Sequence, residues 1–348
     1  MPAAARRPLC LALLLTGCPG GLFGGGDNGD GGDGAWSDPF TTGDFVTEGG
    51  GNSNSNSNSN SNSNSNSNSN GDTEPPTTGI EPTGADNELP DGDQCPCVAD
   101  NEDIYVLSST GSVWSFDPTD LSFDFITDIL CGGMNETFSM GVSRKGRAWV
   151  QYVTGDLYTV DLKDPGTACK DPGFNNTDPL FPNFGMAFVA NSVDDPCDKL
   201  HAHSAIDPGL IGPDVGALGV IDPKTLVLSE IASIDYAWGE LTGTGDGRLY
   251  AFQGQAPPHI AEYDKATGEV LGTWPLPGLE NPDAFAFAYW GGDFYLFMTH
   301  PDDFGVGLSQ VIHVDFDESD GAGKTVTTIV DEAPIRIVGA GVSTCAPQ

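Results

Sequence analysis

The sequence predicts an all-β domain that follows a long segment with no fold of its own. Glycine and proline supply 47 and 26 of the 348 residues, and both disfavour helices. From residue 93 onward, short apolar and aromatic runs alternate with Gly, Asp and Pro, as strands alternate with turns. A strand-and-turn pattern also recurs about every 50 residues in this region. Together these observations favour a repeated β architecture.

The first 17 residues have the features of an export signal. Arg6 and Arg7 precede the apolar run Leu9–Leu15, which is too short to span a bilayer. The run ends in Leu15-Thr16-Gly17-Cys18, which resembles the lipobox of bacterial lipoproteins. The resemblance implies cleavage before Cys18, acylation of its thiol and a lipid anchor in the bacterial cell envelope, at the outer membrane or cell surface. An ordinary secretory signal with an incidental cysteine is the alternative.

Residues 18–92 are predicted to be a disordered tether. They include a strict Asn-Ser alternation from Asn52 to Asn70, twelve acidic residues and no Lys or Arg. Low hydrophobicity and charge of a single sign leave too little apolar surface to offset the entropy of the chain. As a random coil, a segment of this length reaches about 45–50 Å.

Residues 93–348 carry the repeated pattern, a strand that ends in Asp and a turn. Its five instances are Val113–Asp117, Leu157–Asp161, Leu218–Asp222, Ile260–Asp264 and Val311–Asp315, with the aspartates 44, 61, 42 and 51 residues apart. Each instance follows a partner strand, and several of these follow a strand rich in small residues, such as Phe138–Val142. Four antiparallel strands per repeat predict a β-propeller, whose small-residue strands line the narrow central channel.

We count five blades, and the first repeat lacks an inner strand. Ile335–Val342 looks like an additional inner strand, so the C-terminal strand is expected to complete the first blade and close the ring. The long third repeat, Phe184–Ile231, leaves six blades as an alternative, and a β-sandwich is a second architecture. The turn pattern resembles secreted bacterial proteins with degenerate propeller repeats, which implies an architecture and no particular activity.

Six cysteines remain in the domain once Cys10 of the signal and Cys18 are set aside, and an exported protein can form disulfides. They are Cys95, Cys97, Cys131, Cys169, Cys197 and Cys345. A disulfide between Cys169 and Cys197 would cross-link the insertion between blades two and three. Cys345 falls next to the domain start, where Cys95 and Cys97 lie, if the ring closes as expected. The sequence alone allows fifteen pairings.

One polar residue precedes each inner strand when the repeats are aligned. These candidate ligand-binding residues are Glu136, Asn183, Asp235, Asp283 and Arg336. In a propeller they would surround one mouth of the channel, where ligands and metals usually bind. Propeller lactonases and related hydrolases place Glu, Asn and Asp there around a divalent cation, so a metal-dependent hydrolase is one interpretation. The alternative is that these residues simply occupy solvated loops.

Two further patterns are typical of metal ligands. His201 and His203 lie two residues apart, which places both imidazoles on one face of a strand, although a passive position on a strand surface is the alternative. Asp315–Gly321 resembles the start of a calcium loop, but its Gly comes one place late. No nucleophile elbow or Ser-His-Asp arrangement is present in the sequence, so we predict no catalytic residue and no cofactor, with calcium as the exception.

The charge limits the partners. Thirteen Lys and Arg residues oppose 50 acidic residues, which gives a formal net charge of −37 and a surface that repels phosphates. We therefore expect no nucleic-acid partner, and a monomer held at the membrane by its lipid. The favoured function is a non-enzymatic binding or scaffold module for an envelope protein, glycan or small ligand. The alternatives are the hydrolase and a subunit of a larger envelope assembly.

Overall fold

The computed structural model describes residues 95–131, 136–166, 169–206, 216–254, 257–300, 307–316 and 324–348. The predicted signal peptide, lipidation site and tether, residues 1–92, lie outside these ranges. In the described ranges, no helix is long and apolar enough to cross a membrane.

The described residues form nineteen β-strands, each of five to seven residues. In chain order they are β1 (Ile104–Ser108), β2 (Ser112–Asp117), β3 (Ser122–Asp128), β4 (Thr137–Val142), β5 (Arg147–Tyr152), β6 (Leu157–Asp161), β7 (Phe184–Ala190), β8 (Asp198–Ser204), β9 (Gly216–Ile221), β10 (Leu228–Ile234), β11 (Gly239–Gly243), β12 (Leu249–Gln253), β13 (His259–Tyr263), β14 (Val270–Pro275), β15 (Ala284–Trp290), β16 (Asp293–Thr299), β17 (Ser309–Val314), β18 (Val326–Val330) and β19 (Ile337–Val342).

These strands form five antiparallel sheets, which are the blades of a five-bladed β-propeller. From the inside outward, the strand orders are β19-β1-β2-β3, β4-β5-β6, β7-β8-β9-β10, β11-β12-β13-β14 and β15-β16-β17-β18. In blade 2 a single bridge between Thr159 and Lys170 stands in place of a fourth strand. The inner strands β19, β4, β7, β11 and β15 contact one another in that order, and β15 contacts β19. The prediction of five blades is confirmed, and the six-blade and sandwich alternatives are wrong.

The ring closes through the C-terminal strand, as the sequence predicts. β19 pairs with β1 in antiparallel register, with Ile104 opposite Val342 and Leu107 opposite Gly339. Blade 1 is therefore built from both ends of the domain. The long third repeat contains one blade, and its extra length falls partly in residues 205–215, between β8 and β9.

Small residues in the inner strands allow the blades to approach closely at the axis. A Cβ atom on Gly185 of β7 would lie 2.2 Å from the backbone oxygen of Gly239 at the start of β11. A Cβ on Gly339 of β19 would lie 2.9 Å from the backbone nitrogen of Met140 in β4. Neither position can accept a side chain without displacing a neighbouring strand, so the small-residue pattern sets the narrow radius of the ring.

Five clusters of buried apolar side chains hold the blades together, one in each gap between neighbours. Between blades 1 and 5, for example, the rings of Phe116 and Phe297 meet edge to face with centroids 5.7 Å apart. Both side chains are fully buried, and burying each contributes roughly 1.5–3 kcal/mol. Because every blade shares its core with two neighbours, the ring is expected to unfold as a unit.

Three disulfides join all six cysteines of the domain: Cys95–Cys197, Cys97–Cys345 and Cys131–Cys169. The placement of Cys345 beside the domain start is confirmed. The expected bond between Cys169 and Cys197 is wrong. The N-terminal segment runs beside the β4–β5 turn of blade 2, where the Val98 N–H donates to the Arg144 carbonyl. Cys95 is bonded there to Cys197, which lies between β7 and β8 of blade 3.

Arg144 ties the two ends of the domain together at this junction. Its Nε donates to the Cys95 carbonyl at 3.0 Å, and its Nη1 donates to Thr344 Oγ1 at 2.9 Å. Its Nη2 lies 3.1 Å from Cys97 Sγ. One buried guanidinium thus contacts the segment before β1 and the segment after β19.

Candidate ligand site at the channel mouth

A cavity of about 200 Å³ opens at the end of the ring where the inner strands begin. We call it the mouth cavity. Its walls come from the starts of β4, β11, β15 and β19 and from the loops beside them. The charged and aromatic side chains that line it are Glu136, Phe138, Trp238, Glu240, Asp283, Phe285 and Arg336.

Three of the five aligned polar residues meet at this cavity. Glu136, Asp283 and Arg336 stand directly before β4, β15 and β19, and all three line the walls. Glu136 and Asp283 are exposed at the rim, whereas Arg336 is half-buried. The alignment of the repeats therefore identified one basic and two acidic residues that line the same cavity.

The other two aligned residues lie elsewhere. Asn183 stands directly before β7, and its Nδ2 donates to the Tyr152 carbonyl at 3.1 Å, which ties blade 3 to blade 2. Asp235 lies four residues before β11 and lines a separate cleft with Tyr236 and His259. Trp238 occupies the position directly before β11. The sequence alignment places Asp235 there, three residues too early. The described walls of the mouth cavity do not include Asn183 or Asp235.

Glu240, the buried acid of the cavity, is not among the site residues that the sequence predicts. Its Oε2 accepts a hydrogen bond from Ser139 Oγ of β4 at 3.0 Å, which joins β11 to β4. The Ser139 hydroxyl in turn accepts the backbone N–H of Met186 at 3.2 Å. Glu240 is only 6% exposed, and this burial raises the pKa of its carboxyl well above its usual range. The available signal was a Glu inside an inner strand of otherwise small and apolar residues.

Trp238 is held in an unusual backbone conformation beside Glu240. Its φ of 72° lies in the left-handed region, which costs a non-glycine residue about 1–3 kcal/mol. Two hydrogen bonds fix it there: its backbone N–H donates to the Ser204 carbonyl at 3.0 Å and its indole Nε1 donates to the Ile206 carbonyl at 2.6 Å. The indole packs edge to face on Phe138, with ring centroids 6.4 Å apart. Strain that the surroundings maintain in this way is typical of ligand sites.

Arg336 supplies the basic side chain of the cavity. Its backbone oxygen accepts the N–H of Ser109, which also lines the cavity. Its Nε atom is buried and has no hydrogen-bond partner among the described residues. A buried donor without an acceptor is costly, so an acceptor that came within reach of this atom would stabilise the side chain.

His201 and His203 lie inside blade 3 rather than on a strand surface. Both imidazoles are almost completely buried, and burial lowers the pKa of each to about 4, so both are neutral at pH 7. The backbone N–H of Gly239 donates to His203 Nδ1 at 3.2 Å, which links β8 to the start of β11. Among the described residues, no three His, Cys, Asp or Glu side chains group as a metal site would require. Residues 317–323, which contain most of the calcium-like loop, lie outside the described ranges.

Comparison with known proteins finds similar architectures at very low sequence identity. No protein-family model and no curated protein sequence matches the chain. A crystal structure of a protein of unknown function from Bacteroides caccae is 10% identical with a TM-score of 0.39, and the match covers 69% of this chain and 98% of that one. The Dos1 propeller is 11% identical with a TM-score of 0.38, covering 70% and 71% of the two chains.

A third similar structure is described as an auxiliary nutrient binding protein from Bacteroides thetaiotaomicron. It is 12% identical with a TM-score of 0.38, and the match covers 64% of this chain and 53% of that chain. At identities of 10–12% the similarity concerns the fold alone. The closed five-bladed propeller with a cavity at its channel mouth fits a binding or scaffold module.

Proposed function

We propose that this protein is a lipid-anchored binding module of the bacterial cell envelope, and that it captures a small ligand in the mouth cavity. The observation that carries the proposal is Glu240, a buried acid that lines one cavity together with three aromatic residues. Concave, largely apolar sites with a few converging polar groups and a perturbed pKa are typical of ligand binding.

Two features of the mouth cavity support binding of a small molecule. Its volume of about 200 Å³ is below the 300–1,000 Å³ of sites for drug-sized ligands, which favours a compact molecule. The two hydrogen bonds of Trp238 also fix one wall in position before any ligand arrives. A preformed wall reduces the ordering cost of binding.

The lipid anchor and tether support a role in capture. A lipid on Cys18 would hold the protein at the membrane, and a tether of about 75 residues would let the propeller sample a shell of about 45–50 Å. Such reach assists a binder that must meet its ligand near a surface. Two or more acyl chains on one residue give a stable anchor, which a single chain does not.

The hydrolase alternative remains a prediction without support in the geometry of the mouth. It requires Glu136, Asn183, Asp235 and Asp283 around one cation, and only Glu136 and Asp283 line the mouth cavity.

The ligand-binding part is tested by filling the cavity. Ala284 is half-buried in its wall, so Ala284→Trp places an indole where the ligand would sit. Wild-type protein and the variant are incubated with the low-molecular-weight fraction of an envelope extract, separated by gel filtration and analysed by mass spectrometry. We expect the variant to retain at least tenfold less of the bound compound. Ala266→Trp, in an exposed turn, is the matched control and should behave as wild type. Equal retention by the Ala284 variant would refute a ligand site at the mouth.

The anchor is tested separately. Cys18→Ser should abolish the lipid adduct in mass spectrometry and release the protein from the membrane fraction. Unchanged membrane association of the variant would refute the lipoprotein assignment.

A further inference from the structure

We propose that the mouth cavity selects a small zwitterion that carries an ammonium group and a carboxylate on an apolar body, the chemistry of a free apolar or aromatic amino acid. This inference rests on the proposed function and names the class of ligand. It comes from three sets of side chains that line one cavity: an acidic set without a cation, a basic side chain without an acceptor, and a set of aromatic rings.

The acidic side of the cavity lacks a cation. Glu240 is buried on β11, and the partner that the structure gives its carboxyl is the neutral hydroxyl of Ser139. Glu136 and Asp283 add two exposed carboxylates at the rim. A buried carboxyl is strongly disfavoured as an ion unless a positive charge meets it. A ligand ammonium would supply that charge and would pass the two rim acids on entering.

The basic side of the cavity lacks an acceptor. Arg336 Nε is buried without a hydrogen-bond partner in the described part of the chain. Guanidinium groups bind carboxylates through paired N–H donors, which makes Arg the preferred side chain for that ligand group. A carboxylate on the ligand would satisfy this atom. An amine without a carboxylate would leave it unpaired.

The walls between these groups are aromatic. Phe138 and Trp238 meet edge to face on one side, and Phe285 lines the same cavity while packing edge-on against Phe252 at 5.3 Å. Aromatic faces bury an apolar body well and also attract an ammonium group. A carboxyl, a guanidinium and three aromatic rings in one small cavity therefore match a molecule with both charges and an apolar side chain.

The test compares three compounds that share a phenyl body: L-phenylalanine, phenethylamine and 3-phenylpropionate. They carry both charges, only the ammonium and only the carboxylate. We expect isothermal titration calorimetry of the wild-type domain to give L-phenylalanine an affinity at least tenfold above either single-charge compound. Equal or tighter binding of phenethylamine or 3-phenylpropionate would overturn the proposal, as would the absence of saturable binding by all three.

Two matched variants assign the charges. Glu240→Gln should reduce the affinity for L-phenylalanine about tenfold and leave 3-phenylpropionate binding unchanged or improved. Arg336→Gln should reduce L-phenylalanine binding by a similar factor and leave phenethylamine unchanged or improved. Asp283→Asn repeats the acidic test at an exposed site, where the fold is not at stake. Glu230→Gln, an exposed substitution on β10, is the control and should match wild type. Circular dichroism of each variant confirms folding.

The variants also separate this inference from the function on which it rests. If an envelope compound is retained by wild type and lost in Ala284→Trp, but the three phenyl compounds show no preference for the zwitterion, the ligand class is wrong and the site stands. If Ala284→Trp retains the compound, the mouth site itself is wrong. Uniform affinity for L-phenylalanine across the Glu240, Arg336 and Glu230 variants would refute the assignment of charges.

Discussion

The Cys97–Cys345 disulfide closes the ring covalently, and its removal is expected to destabilise the domain mainly through the unfolded chain. The native ends are already held by the pairing of β1 with β19 and by Arg144. Replacing both cysteines by serine keeps an acceptor for Arg144 Nη2 at position 97. The native structure should therefore change little, while the unfolded chain gains freedom.

The magnitude follows from the length of the loop that the bond closes. Cys97 and Cys345 are 248 residues apart, but the Cys95–Cys197 bond shortens the path between them to about 150 residues. For such a loop the chain-entropy model gives about 5 kcal/mol at 25 °C. The Cys131–Cys169 bond closes 38 residues, for which the same model gives about 4 kcal/mol. The ring-closing bond should thus contribute about 1 kcal/mol more.

The assay is urea unfolding of the oxidised domain, followed by tryptophan fluorescence. With a slope near 3 kcal/mol per molar urea, a loss of 5 kcal/mol lowers the midpoint by roughly 1.5–2 M. The variant Cys131→Ser/Cys169→Ser is the matched control and should lose less. A smaller loss of unfolding free energy for Cys97→Ser/Cys345→Ser than for this control would refute the loop-entropy reasoning. It would indicate that strand pairing, rather than the disulfide, stabilises the closed ring.

Three further outcomes follow from buried groups. Burial lowers the pKa of His201 and His203 to about 4, whereas a histidine in the unfolded chain binds a proton below about pH 6.5. The free energy of unfolding should therefore be full above about pH 6.5 and fall toward about pH 4. The double variant His201→Gln/His203→Gln should show a weaker pH dependence of the urea midpoint. Because burial raises the pKa of Glu240, its protonated form contributes stability that is lost as pH rises, so Glu240→Gln should melt above wild type at pH 8 with the gap closing near pH 4.5. Gly185→Ala should cost about 1–3 kcal/mol, since its Cβ would lie 2.2 Å from a backbone oxygen at the start of β11, while Gly166→Ala, with its nearest neighbour at 3.9 Å, should be nearly neutral by urea unfolding.

Local strand patterns predicted part of the candidate site. Glu136, Asp283 and Arg336 were found because each directly precedes a strand whose apolar pattern is clear, and neighbouring inner strands of a propeller begin at the same end of the ring. Blade 4 was misaligned because β11 is short and begins with a glycine and a glutamate, which weakens its apolar signal. Trp238 and Glu240 were therefore missed.

The sequence by itself determined the all-β class, the five repeats and the closure of the ring by the C-terminal strand, because strand alternation and turn chemistry are local properties. The tertiary structure decided the disulfide pairing and the composition of the mouth cavity. Cys95 meets Cys197 because the N-terminal segment runs beside the β4–β5 turn of blade 2. Glu240 meets Ser139 because Gly185 lets β11 approach β7. Such contacts depend on the path of the chain and on the spacing between blades. Packing around the whole ring determines both, and no single repeat encodes them.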